Sequence, residues 1–453
     1  MGNLQQKPPQ ILVVPTPGMG HLLPLIEFAK QLVFRHGFEV TVLIPSDHSP
    51  SKPQLTTLNS LPNSITYTFL PPVDLSDLPD DAKVETRFCH TLVRSLPSLR
   101  DELTNKTTRF VALVVDLFGT DIFDVAKEYQ IPAYIFFPGS AMGLSMFFEF
   151  PKLADSYVGE FKDLPEPFEM PGCIPLEGKD FSDAMQDRKN EGILVNSFVD
   201  LEADAFRVLM EDKPGRPPVY PVGPHIQTGG TDSAADGSSE CLSWLDHQPY
   251  GSVLFVAFGS GGTLTHEQLT ELSFGLEMSE ERFLWVVRTP SSASDASFFS
   301  CQSVMNPFEF LPTGFLERTR HMGLVVSSWA PQIEVLSHAS TGGFVTHCGW
   351  NSALESIVHG VPMIAWPLYA EQKSNAVLLH GLKVALTLKK DENGLISREE
   401  IAKVVQGLMT GEKGKQVRNK MKELKSAAVT VLSEDGSSTR SLNKVADKWR
   451  KNK

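Results

Sequence analysis

The chain has 453 residues, a net charge of −13 at pH 7 and a hydrophobic fraction of 41%. This length suits two domains of about 200 residues, and the apolar fraction supplies a core for each of them. The acidic balance argues against a nucleic acid as partner, because a polyanion binds to basic surfaces.

The sequence also bears on where the protein works. No apolar run approaches the roughly 18 residues of a membrane helix, and the N-terminal segment has no apolar signal core. Five scattered cysteines lack the spacing of metal ligands and are typical of reduced thiols. We therefore expect a cytoplasmic protein without a membrane span and without a metal. We also expect a monomer.

Short apolar strands alternate with helical segments along the first half. A strand at 11–14 is followed by an amphipathic helix at 22–34. Further strands are predicted at 40–44, 66–70, 112–115, 133–137 and 193–195. This alternation predicts a parallel sheet that is covered on both faces. The segment 217–238 is rich in Pro, Gly and Ser and predicts an interdomain linker.

Two polar residues of the first half follow predicted strands. His21 comes after the turn 15–20, and Asp116 ends the apolar run 111–115. The carboxyl ends of parallel strands share one sheet edge, where an aspartate can orient and charge-stabilise an imidazole. An unperturbed pKa of about 6.5 suits a histidine to general-base catalysis. A lone histidine at a helix start is more often structural, so both interpretations stay open here.

The second half repeats the alternation. Strands are predicted at 253–257, 283–287, 324–326, 342–346 and 363–365, and charged helices at 398–409, 415–432 and 439–451. A Gly-rich turn that contains Ser260 follows the first of these strands, and 291–310 is a long loop. The pattern predicts a second parallel sheet.

The stretch 329–372 centres on a strand–turn–helix. His347-Cys348-Gly349-Trp350-Asn351-Ser352 joins the strand to a helix at 351–359, which Gly360 ends. A helix N-terminus suits a phosphate, because its backbone N–H groups are free and its dipole end is positive. An ordinary capped helix is the alternative.

The ends of this stretch suit a base and a sugar. Trp329 precedes a predicted helix start, so its indole can stack on a base. Glu355 lies three residues beyond Ser352 on one helix face, within reach of ribose hydroxyls. Glu371 and Gln372 follow the strand 363–365, where ligands bind in open α/β sheets. The alternatives are a core tryptophan and a solvated surface glutamate.

This stretch resembles, over its full length, the signature box of the plant UDP-dependent glycosyltransferases, glycosyltransferase family 1. The similarity runs from PTPGMGHLLPLIEFAK to the last helix. Around VVDLFGTD, PPVYPVGP, FVAFGSGGTLT and FLPTGFLERT it is greatest to phenol and hydroquinone glucosyltransferases. The resemblance implies an α/β GT-B fold of two facing Rossmann-like domains with a cleft between them. Its implied ranges are an acceptor domain at 1–222, a linker at 223–245, a UDP-sugar domain at 246–433 and, at 434–453, a helix that packs back on the first domain.

The resemblance also implies a reaction. His21 matches the family's base and Asp116 its partner acid, in inverting transfer of glucose from UDP-glucose to a small phenol without metal or other cofactor. Phe118 and Phe148 are candidates for an apolar acceptor pocket, or else core residues. The residues implied for the UDP-sugar are Ser260, Trp329, Ala330, Gln332, His347, Gly349, Trp350, Asn351, Ser352, Glu355, Glu371 and Gln372.

Other interpretations remain. Gly18-Met19-Gly20 is part of a dinucleotide-binding pattern of an oxidoreductase, although Leu23 replaces its third glycine. A non-catalytic sugar-nucleotide binder is a second class, and flavonoid acceptors, amine acceptors or another UDP-sugar stay open. The resemblance implies a further helix before Glu191, where the chain has the polar run 182–190. Either this sequence lacks a segment that the protein has, or the acceptor mouth is shorter and acceptor selection looser.

Overall fold

The computed structural model describes residues 8–79, 82, 84–105, 109–156, 166–175, 192–213, 216–227, 238–259, 263–290, 306–327, 329–369 and 371–451. Ser260, the polar run 182–190, Glu191 and most of the predicted loop 291–310 lie outside these ranges. Within them, no helix combines the length and apolar character that crossing a membrane requires.

The first sheet is parallel throughout, with seven strands in the order β3-β2-β1-β4-β5-β6-β7. Most of its strands are nearly continuous runs of apolar residues, as expected of strands covered on both faces. The strands are β1 Gln10–Val14, β2 Glu39–Ile44, β3 Ile65–Phe69, β4 Phe110–Val115, β5 Ala133–Phe137, β6 Ile193–Val195 and β7 Val219–Pro221. The helices are α1 Met19–His36, α2 Lys52–Asn59, α3 Val84–Asn105, α4 Ile122–Glu128, α5 Ala141–Ser156 and α6 Ala203–Leu209.

The second sheet is also parallel, with six strands in the order β10-β9-β8-β11-β12-β13. Its strands are β8 Val253–Ala257, β9 Arg282–Val287, β10 Gly323–Ser327, β11 Thr341–Thr346, β12 Met363–Ala365 and β13 Ala385–Thr387. The helices of this half are α7 Ser238–Asp246, α8 His266–Ser279, α9 Phe315–Thr319, α10 Gln332–Ser337, α11 Trp350–His359, α12 Gln372–Gly381, α13 Arg398–Met409, α14 Glu412–Val431 and α15 Ser437–Lys451, with a 3₁₀ helix at Pro307–Phe310.

Strand order reverses once in each sheet, between β1 and β4 in the first and between β8 and β11 in the second. Ligands of open α/β sheets bind outside the carboxyl ends of the strands at such a reversal. His21 follows β1 and Asp116 follows β4, while the turn 347–349 follows β11. The topology therefore brings the predicted residues to the two reversal points.

The last helix packs on the first sheet. Leu442, Val445, Ala446 and Trp449 are buried in the same core as β1 and β2, at the spacing of one helix face. The ring of Trp449 lies 5.1 Å from that of Tyr134, centroid to centroid. The second core in turn crosses the interface and includes Phe198 of the first half.

The sequence pattern misses two short strands, and regular elements lie within the predicted linker segments. β7 lies within the segment 217–238, because Val219 pairs with Ile193 at the sheet edge. α7 lies largely within the predicted linker 223–245, yet its Cys241 and Leu245 are fully buried in the second core. The other unpredicted strand is β13, which pairs with β12.

Candidate active site

His21 and Asp116 are in contact at the reversal point of the first sheet. Nδ1 of His21 lies 3.0 Å from Oδ2 of Asp116. Asp116 is fully buried, and its carboxylate accepts hydrogen bonds from the Thr16 N–H at 2.9 Å, from the Thr16 hydroxyl and from the Phe118 N–H at 3.3 Å. These bonds fix the carboxylate in one orientation against the imidazole.

The surroundings of His21 set its protonation. Burial lowers the pKa of the imidazole, because the charged form loses water, but the Asp116 carboxylate and the charge of Glu371 raise it. The net result is a pKa above the ordinary 6.5. The site therefore stabilises an imidazolium. With Nδ1 facing Asp116, Nε2 is the ring atom left to exchange a proton with a substrate.

Two phenylalanines meet the His21 ring edge to face. The ring centroids of Phe88 and Phe118 each lie 5.6 Å from that of His21, at interplanar angles of 79° and 67°. Phe118 thus lies beside the histidine, whereas Phe148 lies under the guanidinium of Arg216, 4.6 Å from the ring centroid. Sequence reasoning missed Phe88, because it is one apolar residue of the amphipathic helix α3 with no local sign of chemistry.

The turn before α11 presents backbone N–H groups. Gly349 is the N-cap residue and no side chain caps the helix. The first hydrogen bond of α11 runs from the Ala353 N–H to the Gly349 carbonyl at 3.0 Å. The amides of residues 350–352 consequently have no partner within the helix, and they lie at its positive dipole end. Because the helix begins at Trp350, Asn351 and Ser352 occupy its second and third positions.

His347 lies between two glycines. A Cβ on Gly259 or on Gly349 would approach within 2.5 Å of the imidazole ring, so both positions require glycine. Burial lowers the pKa of His347 to about 4, which keeps the ring neutral. Within the described part of the chain, its buried Nδ1 has no hydrogen-bond partner.

Gln332 joins the start of α10 to one face of α11. Its Nε2 donates to Ser352 Oγ at 2.9 Å and to Glu355 Oε2 at 2.6 Å. Burial raises the pKa of Glu355 to about 7. Trp329 is 49% exposed just before α10, whereas Ala330 is buried. An exposed indole therefore stands just before the helix whose first residue, Gln332, bonds this polar cluster.

Glu371 and Gln372 begin α12 after the carboxyl end of β12. Glu371 is the N-cap residue. Gln372 is buried, and its Oε1 accepts from the backbone N–H groups of Leu368 at 2.9 Å and Tyr369 at 3.0 Å. The amide oxygen of Gln372 therefore shapes the loop that leads to α12, a role that no local sequence pattern indicates.

Among the described residues, two side-chain hydrogen bonds join the first turn of α11 to the first domain. Asn351 Nδ2 donates to the Gly20 carbonyl at 3.1 Å, directly beside His21. The Trp350 side chain is buried, and its Nε1 donates to the Asn196 carbonyl at 2.7 Å. The indole of Trp350 is thus engaged with the first domain, so only the backbone of this residue faces the turn at the helix start.

Comparison with known proteins shows which family the chain resembles. The family model described as UDP-glucoronosyl and UDP-glucosyl transferase matches residues 218–426. A hydroquinone glucosyltransferase of Rauvolfia serpentina is 56% identical over 461 residues, which cover 97% of this chain and 98% of the relative. UDP-glycosyltransferase 72B1 of Arabidopsis thaliana is 54% identical over 469 residues, which cover 99% of this chain and 98% of the relative.

Solved structures agree over the whole length. Phytolacca americana UGT2, complexed with UDP-2fluoro-glucose and pterostilbene, is 51% identical with a TM-score of 0.89, and the match covers 98% of this chain and 100% of that one. A UDP-glucosyltransferase from Polygonum tinctorium has the same identity of 51% and TM-score of 0.89. The two parallel sheets form the GT-B fold, and the chain belongs to the family of UDP-dependent glycosyltransferases.

Proposed function

We propose that the protein transfers glucose from UDP-glucose to the hydroxyl of small phenols, with inversion, to give β-glucosides. The observation that carries the proposal is the contact between His21 and Asp116, close to the amides of residues 350–352, which have no partner within α11. The relatives support the acceptor class: one is a hydroquinone glucosyltransferase, and a solved relative holds pterostilbene.

On the acceptor side, His21 acts as the general base. Its Nε2 takes the proton of the phenol as the phenol oxygen attacks the anomeric carbon. The Asp116 carboxylate, at 3.0 Å from Nδ1, stabilises the imidazolium that forms. Phe88 and Phe118 offer apolar rings beside the base, which suits a flat aromatic acceptor.

On the donor side, UDP lies along the second sheet and leaves from the face opposite the phenol. Trp329 stacks on the base, Gln332 and Glu355 bind the ribose, and Glu371 and Gln372 bind the glucose. The negative charge that grows on the diphosphate meets preorganised N–H and O–H donors. These donors are the amides of 350–352 and the side chains of His347, Asn351 and Ser352. Ser260 lies outside the described residues, and its position in the sequence alone suggests it as a further hydrogen-bond donor to the phosphates.

We infer that no metal is needed, because the helix end and these donors meet the diphosphate charge directly. All the proposed site residues come from one chain, so a monomer suffices. The cysteines at 89, 173, 241 and 348 are free thiols, in keeping with a reducing cytoplasm.

The test is an assay of the purified protein with UDP-glucose and hydroquinone. We expect one β-glucoside for each UDP released, at an unchanged rate in EDTA, with the anomeric configuration read by NMR. Parallel arms with UDP-galactose, an aniline and a flavonoid define donor and acceptor preference. An α-linked product would exclude inversion. A rate abolished by EDTA and restored by Mg²⁺ would exclude the metal-free site.

Donor binding is expected to depend on pH through Glu355. Its pKa of about 7 leaves the carboxyl protonated in mild acid, where it loses its charged acceptor for ribose hydroxyls. A hydrogen bond to a charged group contributes about 1 kcal/mol more binding free energy than one to a neutral group. The KM for UDP-glucose should therefore rise about fivefold from pH 8 to pH 5.5. Glu355→Gln should remove this dependence. A variant with the same pH profile as wild type would assign the titration to another group.

A further inference from the structure

Asn196 directly follows β6, and its side-chain amide forms two hydrogen bonds to a neighbouring backbone segment. Its side chain is fully buried. The amide Nδ2 donates to the His225 carbonyl at 3.1 Å, and the amide Oδ1 accepts from the His225 N–H at 2.7 Å. A Cβ on Gly223 would lie 2.6 Å from the Asn196 amide oxygen. The start of the interdomain linker is therefore fitted closely to this one side chain.

Other elements that link the two domains meet at the same place. The Trp350 indole of α11 donates to the backbone carbonyl of Asn196 at 2.7 Å. Ser438, in the first turn of α15, donates through its hydroxyl to the Gly223 carbonyl at 2.6 Å. The linker, the last helix and the helix proposed to bind diphosphate thus converge on the end of β6.

This junction shares a sheet edge with the proposed base. β6 is two strands from β4, which carries Asp116 at its end, and three strands from β1, which leads to His21. The first turn of α11 is held at one point by Asn196, through Trp350, and at a second point by Gly20, through Asn351. The Asn351 amide is also proposed to bind phosphate, whereas the Trp350 indole is not among the groups proposed to bind the donor.

We propose that Asn196 is a positioning residue for transfer, which rests on the proposed function above. Its side chain is hydrogen-bonded to the backbone of His225, and its backbone carbonyl accepts from the Trp350 indole. Through these bonds it holds the N-terminus of α11 at a fixed distance from His21. The anomeric carbon then lies within reach of the acceptor oxygen. The Asn196 side chain and the Trp350 indole are not among the groups proposed to bind substrate. Their loss should therefore disturb the alignment of donor and acceptor and leave the affinity for each of them unchanged.

The first test pairs Asn196→Ala with a matched control. The side-chain amide of Gln268 forms the same pair of hydrogen bonds to a backbone: it donates to the Ile396 carbonyl and accepts from the Ile396 N–H, at 2.9 Å each. Both residues lie in the second domain. Misplacing reacting atoms by about 1 Å can cost 10²-fold in rate. We expect Asn196→Ala to lower kcat about 10- to 100-fold, with the KM for UDP-glucose and the UDP affinity by calorimetry within about threefold of wild type. Gln268→Ala should lose thermal stability with kcat unchanged.

The second test uses Trp350→Phe, which removes the indole donor and keeps an aromatic ring in the core. It should lower kcat with UDP affinity retained. The double variant should be no slower than the slower single variant, because the two substitutions break successive links, Trp350 to Asn196 and Asn196 to His225, of one chain of hydrogen bonds. Trp350→Phe carries the test alone if Asn196→Ala does not fold. A kcat within threefold of wild type, additive effects, or an equal fall in Gln268→Ala would each overturn the inference. A wild-type protein without transfer to phenols would instead refute the proposed function, and the variants are then compared on the acceptor that it does use.

Discussion

Replacing His21 with alanine is expected to lower kcat for phenol glucosylation by about 10²–10⁴-fold, the usual contribution of a general base. UDP affinity should be unchanged, because the proposed nucleotide contacts all lie in the second domain. Turnover is followed by glucoside formation and UDP affinity by calorimetry. The loss should be smallest for phenols of low pKa, which ionise without help.

A second histidine on the same sheet edge supplies the control. His48 follows β2, and its Nδ1 lies 3.3 Å from Oδ1 of Asp47, an exposed counterpart of the proposed catalytic pair. His48→Ala should keep wild-type turnover. If folded His21→Ala protein turned over within about threefold of wild type, His21 could not be the base.

Replacing Asp116 with asparagine is expected to lower kcat by about 10²-fold or more, although the side chain keeps its shape. The carboxylate accepts from Thr16 with both oxygens and also faces His21 Nδ1. An amide has one oxygen only. If its NH₂ takes the Oδ2 position, it confronts both the Thr16 N–H and the imidazole, and the imidazole then favours the tautomer with the proton on Nε2, which cannot accept a proton from the phenol. If its NH₂ takes the Oδ1 position, it confronts the Phe118 N–H, and in both orientations the charge that stabilises the imidazolium is lost.

The same variant should move the pH profile. The Asp116 charge raises the pKa of His21 against the effect of burial, so without that charge burial prevails and the pKa falls. Base catalysis needs neutral imidazole, which is present above this pKa. The acid limb of kcat/KM should therefore shift to lower pH while the plateau falls. Asp47→Asn should shift neither. A limb that stays in place would mean that His21 is not the titrating group.

The sequence predicts most of the fold because the sheet strands are buried on both faces. Their apolar runs are continuous, as in Phe110–Val115 and Val253–Ala257, and these need no tertiary information to recognise. The sequence pattern does not predict β7 and β13, because each is an edge strand of only three residues that forms by pairing with a single neighbour. The dinucleotide-dependent oxidoreductase, weighed from Gly18-Met19-Gly20, is wrong, since the chain belongs to a transferase family.

The site is harder to read from sequence, because contacts across domains leave no local pattern. The motif 347–352 predicts the helix end, but nothing in it assigns the Trp350 indole to Asn196, which lies 154 residues earlier. Phe88 likewise meets His21 only after α3 packs beside α1. Hydrogen bonds such as those of Gln372 to Leu368 and Tyr369 also depend on the folded loop.

The packing of α15 on the first sheet means that synthesis and folding proceed in different orders. The ribosome delivers β1 and Tyr134 early, but the surface that Leu442, Val445 and Trp449 cover stays open until residues 437–451 have emerged. Domains made first usually complete their folding first. Here the half made first is finished last, so a fragment ending before α15 would leave an apolar patch on the first sheet, while the core around the second sheet could already close.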